Sequence, residues 1–503
     1  MLDVLFIEPN SSNVYGELAE DYAAIETPTW ALLLAESCRS RGYKVGILDA
    51  NALRLHPAEV AAAVTSRRPK LVCFVVYGQN PNSGTTNMSG AIREAERVKH
   101  YNMDATIAFV GSHISALPRE TMEKHKCIDI GIIGEGVYAL HQLAECHEAR
   151  AFIDGIIWRK PSNGELVING PGKLVPQDRM SIDLPGYAWD LLPYDKKPLD
   201  LYRCHTWHNN FGDDRSPFAA IYTSLGCKFK CSFCMINIVN RTDYSDGVAA
   251  DQSNIMRYWP AETVKGWFDE LEEMGVKNVR FSDEMFFLIK DHFEPIVEDL
   301  IKREYKFNLW AYARIDTTQP KYLAKFKEAG INWLALGIEA GHREIRREIT
   351  KGKFEDVDIS KVVKDVKDHE ISVVGNYMFG FPEEEWEDLI KTEQLMHELN
   401  CEHNNMYTAM ALPGSPLYYQ AVANGWHLPD SYEGYGFYSY ECQPLPTNHL
   451  GANDVLYFRD TAWISINTRE RYLNMIEKKF GKKNRENISK QVKVVLKRKI
   501  LGD

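Results

Sequence analysis

The chain has 503 residues, 59 of them Lys or Arg against 70 Asp or Glu, for a formal net charge of −11. Its composition, 45% apolar and 26% charged, is that of a folded globular protein with room for roughly two to four domains. The acidic balance argues against a general nucleic-acid binder, which needs a basic face for phosphate, but leaves room for a local basic face. No apolar run approaches the ~20 residues of a membrane span. The start, Met1-Leu2-Asp3-Val4-Leu5-Phe6-Ile7-Glu8, lacks the basic region and long apolar core of a signal peptide, so a cytoplasmic protein is expected. Ten cysteines lie singly apart from one triplet, as thiols in a reducing compartment do, and form no disulfide framework.

Residues 1–145 alternate strand and helix patterns. A strand at 4–7 ends in Glu8-Pro9-Asn10; a helix at 30–41 stops at Gly42, where a left-handed cap is expected; a strand at 44–48 ends at Asp49. A continuous apolar strand at 71–76 runs into Tyr77-Gly78-Gln79-Asn80-Pro81-Asn82-Ser83-Gly84, and a polar helix follows at 88–99. Strand 107–110 ends in Gly111-Ser112-His113, and strand 128–133 in Gly134-Glu135-Gly136. Continuous apolar strands separated by helices predict a Rossmann-like, doubly wound parallel sheet, which binds ligands at the carboxyl ends of its strands. No G-x-G-x-x-G follows the first strand, which weighs against a nicotinamide or flavin dinucleotide. Residues 146–215 read as a connector, with a hairpin around Pro161-Ser162-Asn163-Gly164, an aromatic and proline-rich stretch at 182–193, and two histidines, His205 and His208.

From 216 to 425 the alternation returns at barrel-like spacing. Strand patterns lead in turn into Ser282-Asp283-Glu284, Arg314, Glu339-Ala340-Gly341, Phe379-Gly380-Phe381-Pro382 and Leu412-Pro413-Gly414-Ser415-Pro416. Six strands handing polar or glycine residues to one end predict a partial (β/α)₆ barrel with one active face. Residues 426–503 read as a mainly helical C-terminal region. It carries an aromatic cluster (Tyr432, Tyr435, Phe437, Tyr438, Tyr440) expected to cover the barrel's open side. It also has a basic run, twelve Lys/Arg against three Glu over 468–500. Residues 492–500 would form a basic amphipathic helix, solvated or set against a membrane surface or another anionic partner.

The chemistry-bearing element is Cys227-Lys228-Phe229-Lys230-Cys231-Ser232-Phe233-Cys234, directly after the first barrel strand. Four thiolates are the usual complement of a cubane cluster, so three at C-x₃-C-x₂-C leave one iron open to a substrate or cosubstrate. The alternatives are three buried thiols, or a zinc site completed by His205 or His208.

This spacing, with Phe233 before the last cysteine, resembles the radical S-adenosylmethionine (SAM) superfamily. The N-terminal region resembles the cobalamin-binding domain of that superfamily's cobalamin-dependent enzymes, in the Thr27-Pro28 entry to its first long helix, the strand ending in Asp49, and the Gly111-Ser112-His113 and Gly134-Glu135-Gly136 turns. The resemblance covers about residues 1–450. It implies a [4Fe–4S] cluster on Cys227, Cys231 and Cys234. It implies SAM held by Phe233, Ser282, Asp283, Glu284, Arg314, Glu339 and Gly380. It also implies cobalamin near Asn10, Thr27, Tyr77, Gly78, Gln79, Asn80, Gly111, Ser112, His113, Gly134, Glu135 and Gly136. Two departures stand out: the D-x-H-x-x-G cobalt-ligand motif is absent, and Val137 replaces the acidic residue that often follows Gly-Glu-Gly.

The activity the resemblance implies is methylation of an unactivated carbon through a 5′-deoxyadenosyl radical and methylcobalamin. The alternatives are a cyclisation or rearrangement without methyl transfer, tRNA methylthiolation, for which the expected N-terminal cysteine triplet is missing, and a non-catalytic cobalamin carrier. A small-molecule or peptide substrate and an electron donor such as flavodoxin or ferredoxin are the expected partners, with no nucleic acid.

Overall fold

A computed structural model describes every residue except 17, 244–247 and 351–356. Seven strands form the first sheet: β1 (Val4–Glu8), β2 (Val45–Asp49), β3 (Leu71–Val76), β4 (Ile107–Gly111), β5 (Ile130–Ile132), β6 (Ile156–Arg159) and β7 (Leu166–Ile168). Their order is β2-β1-β3-β4-β5-β6-β7, with β1 to β5 parallel. Alternate residues of β1 and β3 feed opposite cores. Phe6, Cys73 and Val75 pack with helix Thr29–Ser40, while Ile7, Val72 and Phe74 pack with helices Pro57–Arg67 and Gly84–Tyr101. Both faces are therefore covered, which is why these strands read as unbroken apolar runs. The strand order reverses between β1 and β3, so Glu8 and the segment after Val76 border the crevice at the switch point.

The hairpin expected in the connector is β6 and β7, and it belongs to this sheet. β6 pairs antiparallel with β5 (Ile130↔Trp158), covering an edge that would otherwise present unpaired backbone groups.

The second sheet begins at β8 (Phe218–Ile221). A short antiparallel ladder of β9 (Ser224–Gly226) and β10 (Met256–Tyr258) follows. Then come β11 (Asn278–Phe281), β12 (Asn308–Arg314), β13 (Ile331–Glu339), β14 (Ser372–Phe379) and β15 (His403–Thr408). The order β15-β14-β13-β12-β11-β8 is parallel throughout, and β8 and β15 do not pair, so the barrel is open on one side. Other segments close the gap. Thr27 Oγ1 accepts from the Ala220 amide on β8 (3.0 Å), Trp207 stacks on His403 of β15 (5.6 Å), and Arg459 Nε donates to the Met406 carbonyl (2.9 Å). One apolar core runs through both sheets, from Val75 to Ile221 and Trp333.

The C-terminal region is helical over Ala452–Thr468, Glu470–Phe480 and Lys482–Gln491. The basic amphipathic helix expected at 492–500 does not form. Arg498 there is fully buried, donating to the Asp460 carboxylate (2.9 and 3.1 Å) and the Ser439 carbonyl (2.9 Å), and Lys499 pairs with Glu441 (2.8 Å). A buried cation needs its carboxylate, and that demand overrides the local helical pattern. The membrane contact thereby loses the helix from which it was read. Among the described residues no helix is long and apolar enough to cross a membrane.

Candidate active site

The cysteine loop is set by the turn before it. Gly226 has φ +89°, and a Cβ there would lie 2.2 Å from the Ile255 carbonyl oxygen, so only glycine lets β9 and β10 approach this closely. Asn237 then holds the loop. Its Oδ1 accepts from the Cys227 amide (3.0 Å), and its Nδ2 donates to the carbonyls of Cys227 (3.0 Å) and Phe229 (3.3 Å). Arg314, at the end of β12, lies with Nη1 3.6 Å from Cys231 Sγ and its guanidinium 3.9 Å over the Phe229 ring, braced by Asp316 (2.9 and 2.8 Å). Burial pushes the Cys227 thiol up to about 12 and Cys231 up to about 11, and it also raises Cys234 well above the usual thiol value. The thiols therefore stay protonated until a cationic centre favours the thiolates.

That donor set fits a cluster better than zinc. Among the described residues no three His, Cys, Asp or Glu side chains converge on one point as a single ion requires. His208 donates or accepts at the Asn308 carbonyl (2.8 Å) and His205 lies against Glu26 (3.3 Å), so neither supplies a fourth ligand.

The three acidic positions at the barrel mouth have different surroundings. The Asp283 carboxylate is consumed within the protein, accepting from the Thr223 amide (2.9 Å), the Thr223 hydroxyl (2.7 Å) and Ser224. These bonds tie β11 to the root of the cysteine loop. Glu284 differs. Its Oε1 is buried without a hydrogen-bond partner, and burial raises its carboxyl to about 8. Ser282 Oγ beside it is likewise unpartnered. Glu339 ends β13 at a register shift, with φ +65°, a conformation that a non-glycine residue adopts at a cost of about 1–3 kcal/mol. Burial raises its carboxyl to about 7, opposed by Arg314. Phe233 and Phe381 face each other at 5.7 Å, next to Gly380, whose amide donates to Glu384 (2.6 Å). Two orphaned acceptors and an aromatic pair beside an open cluster corner suit a cosubstrate with an ammonium group and a planar base.

The first sheet presents its carboxyl edge to this mouth. Asn82, in the loop after β3, accepts the Met235 amide (3.0 Å) and lies 3.7 Å from Cys234 Sγ. Gly78, Gln79 and Asn80 belong to the same loop, and Gly111, Ser112, Gly134 and Gly136 sit at the neighbouring strand ends, with Ser112 Oγ buried and unpartnered.

Other expected cobalamin contacts are spent on the protein itself. Thr27 is hydrogen-bonded to β8. Tyr77 stacks on Trp30 (4.5 Å) and donates to the Gly134 carbonyl (3.1 Å). His113 meets Thr85 (3.1 Å) and the edge of Tyr432 (5.1 Å), and burial lowers its pKa to about 3. Glu135 accepts from the Val175 amide and pairs with Arg257 (2.8 Å). Asn10 uses its side chain on Ser12 and the Leu55 carbonyl. These five carry polar residues at a ligand edge, which is all a sequence shows; their partners come from distant segments.

Comparison with known proteins agrees with this pairing of two ligand edges. Residues 221–396 match the radical SAM superfamily and residues 18–144 the B12 binding domain. The chain thus pairs a B12 binding domain with a radical SAM domain.

An uncharacterized methyltransferase of Pyrococcus horikoshii is 25% identical over 412 residues, 81% of each chain. TsrM, a radical SAM methyltransferase from Kitasatospora setae solved with cobalamin and a [4Fe–4S] cluster, has the same fold. Its TM-score is 0.62 at 17% identity, covering 84% of this chain and 75% of that one. OxsB, solved with aqua-cobalamin and SAM, covers 97% of this chain and 70% of its own, at TM-score 0.66 and 14% identity. With these two domains, the chain is an enzyme of the radical SAM class whose cofactors are a [4Fe–4S] cluster, SAM and cobalamin. Sequence reading missed Asn82, Asn237, Thr223 and Arg257 as positioning residues. Only Asn82, inside the Gly/Asn-rich loop after β3, carried a local signal.

Proposed function

We propose that this enzyme transfers a methyl group to an unactivated carbon of a small substrate bound in the barrel, using cobalamin and a SAM-derived radical. The observation that carries the reading is the contact of Asn82 with the Cys234 segment, because it sets the cobalamin-domain edge directly against the cluster loop. Cys227, Cys231 and Cys234 would hold the cluster. Glu284, with its unpartnered buried oxygen, would take the SAM ammonium, and Glu339 the ribose. Phe233 and the Gly380-Phe381 turn would flank the adenine. Gln79, Asn80, Ser112 and the glycines around them would meet the corrin face.

When bound, the cofactors supply a methyl carrier and a hydrogen-abstracting radical. This chain's residues would orient the two. Asn82 positions the loop carrying Cys234, and Arg314 places positive charge beside Cys231. Electrons would come from a flavodoxin- or ferredoxin-like donor, for which Lys228 and Lys230 are the exposed cations nearest the cluster. The test is product analysis of the anaerobically reconstituted enzyme. Methyl transfer predicts both 5′-deoxyadenosine and S-adenosylhomocysteine, whereas deoxyadenosine alone would overturn it in favour of cyclisation or rearrangement.

A further inference from the structure

Each of the three cysteine sulfurs lies against an N–H donor, and the three donors come from different parts of the chain. The Phe229 amide donates to Cys227 Sγ (3.5 Å), Arg314 Nη1 to Cys231 Sγ (3.6 Å) and Asn82 Nδ2 to Cys234 Sγ (3.7 Å). Phe229 is part of the cysteine loop itself, and Arg314 ends β12 of the barrel. Asn82 belongs to the first domain. It sits in the loop between β3 and helix Gly84–Tyr101 and reaches a sulfur 152 positions further along the chain.

The Asn82 side chain is held at both ends. Its Oδ1 accepts from the Met235 amide (3.0 Å), an N–H that only the carbonyl end can satisfy, and this turns Nδ2 toward Cys234. A Cys234 thiol also reaches Oδ1, at 4.0 Å, but a thiolate on iron has no proton to give, so the bond from Nδ2 is the one left when the cluster is in place. The loop behind it is braced. Asn80 Oδ1 accepts from the Asn82 amide (3.0 Å), and Gly84 is pressed so close to Ser112 that a Cβ there would lie 2.0 Å from its Oγ. A residue present only to fill space would need no amide; this one satisfies a backbone donor and a sulfur together.

We propose that Asn82 sets the reduction potential of the cluster from outside the barrel, as a positioning residue that gives the B12 binding domain a hold on the cluster's electron affinity. Reduction adds one electron, taken from the external donor, and leaves the ligand sulfurs more negative. An N–H aimed at one of them therefore favours the reduced state and raises the potential. The Phe229 donor is backbone and travels with the cysteine loop. Arg314 is fixed by Asp316 two residues along. Asn82 alone among the three takes its place from the first sheet, so the strength of its bond follows how that sheet's carboxyl edge is seated against the cysteines.

The test is a redox titration of the anaerobically reconstituted holoenzyme, followed by electron paramagnetic resonance, with dithionite as reductant and neither SAM nor substrate present. Wild type is compared with Asn82→Leu, which keeps the volume and removes the donor, and with Asn82→Ala, which keeps the test valid if the leucine does not fit. In each variant that retains its iron and corrinoid, the ratio of reduced to oxidised cluster at a fixed poise should fall at least threefold, toward the tenfold that corresponds to a midpoint 59 mV lower for a one-electron couple. A merely structural loosening acts in the other direction, because water admitted to the cluster stabilises its more negative state. A ratio that rises or falls less than threefold overturns the proposal. Loss of the cluster from both variants also overturns it and makes Asn82 a structural tie. The proposal needs the cluster but not methyl transfer, so a missing S-adenosylhomocysteine product would remove that reading and leave this one standing.

Discussion

The two sheets present the same kind of edge to one seam, yet they use their polar residues in opposite ways. At the barrel mouth Ser282 Oγ and Glu284 Oε1 are buried without partners. At the first sheet's edge Thr27, Tyr77, His113 and Glu135 are taken up by β8, Gly134, Thr85 and Arg257. A ligand with a formal charge, such as the SAM ammonium, needs a dedicated buried carboxylate. A corrin is large and edged with neutral amides, so backbone and shape hold it, and the edge's side chains are free to weld the two domains together. The lesson is that a polar residue at a strand end marks a ligand edge, while its unpartnered atoms mark the ligand contact.

The sharpest break of this contrast is at the cysteine loop. Cys231→Ser should strip most of the bound iron and abolish deoxyadenosine formation while corrinoid binding persists, because the cluster needs its thiolates and the B12 binding domain holds the corrinoid. Iron and product formation close to wild type would dismiss the cluster assignment.

Next in size, Glu284→Gln should weaken SAM binding about 10–100-fold, the loss of one charge-assisted hydrogen bond in a buried site, and leave corrinoid affinity unchanged. Calorimetric titration with SAM reads it, and an effect under twofold would place the ammonium elsewhere.

Glu135→Gln should do the reverse. Breaking a buried pair with Arg257 should cost about 3 kcal/mol of stability, seen as a lower denaturation midpoint, with corrinoid affinity changed less than about twofold. A large loss of corrinoid at undiminished stability would return Glu135 to the ligand site.

The smallest effect is a pH dependence at the seam between helix Thr29–Ser40 and the connector. Arg179, with Tyr138 and Arg41, holds the buried Asp183 carboxyl well below the carboxylate range. Because the folded value is depressed below the unfolded value of about 3.9, its contribution is present above about pH 4 and is lost as pH falls below it. Asp183→Asn should lower stability at neutral pH and flatten the acid-side decline in unfolding experiments, and a variant with the wild-type slope would assign that decline to other carboxylates.

What the sequence disclosed follows from how local each signal is. The unbroken run at β3, the cysteine spacing and the ordered succession of strand ends from Glu284 to Gly414 are all readable within a few residues. Asp283 and Glu284 are adjacent acids that no local pattern separates; burial and the reach of Thr223, sixty residues earlier, decide which one is free. Asn82 acquires its role from a cysteine 152 positions away. The basic, apolar 492–500 stretch reads locally as an amphipathic helix, whereas the buried pairing of Arg498 with Asp460 fixes an irregular path. Hairpin β6–β7 was legible as a hairpin, but its docking on β5 was not, since strand pairing across domains leaves no trace in a single segment.

The central claim is that both cofactor edges serve one methyl transfer. The most direct measurement is to reconstitute the enzyme anaerobically, quantify iron, sulfide and corrinoid, and assay SAM products under reductant with candidate small-molecule substrates. The account predicts about four irons and one corrinoid per chain. It also predicts 5′-deoxyadenosine and S-adenosylhomocysteine, with a methyl group gained by the substrate. A full cluster with no bound corrinoid, or deoxyadenosine formed without any homocysteine product, would contradict it.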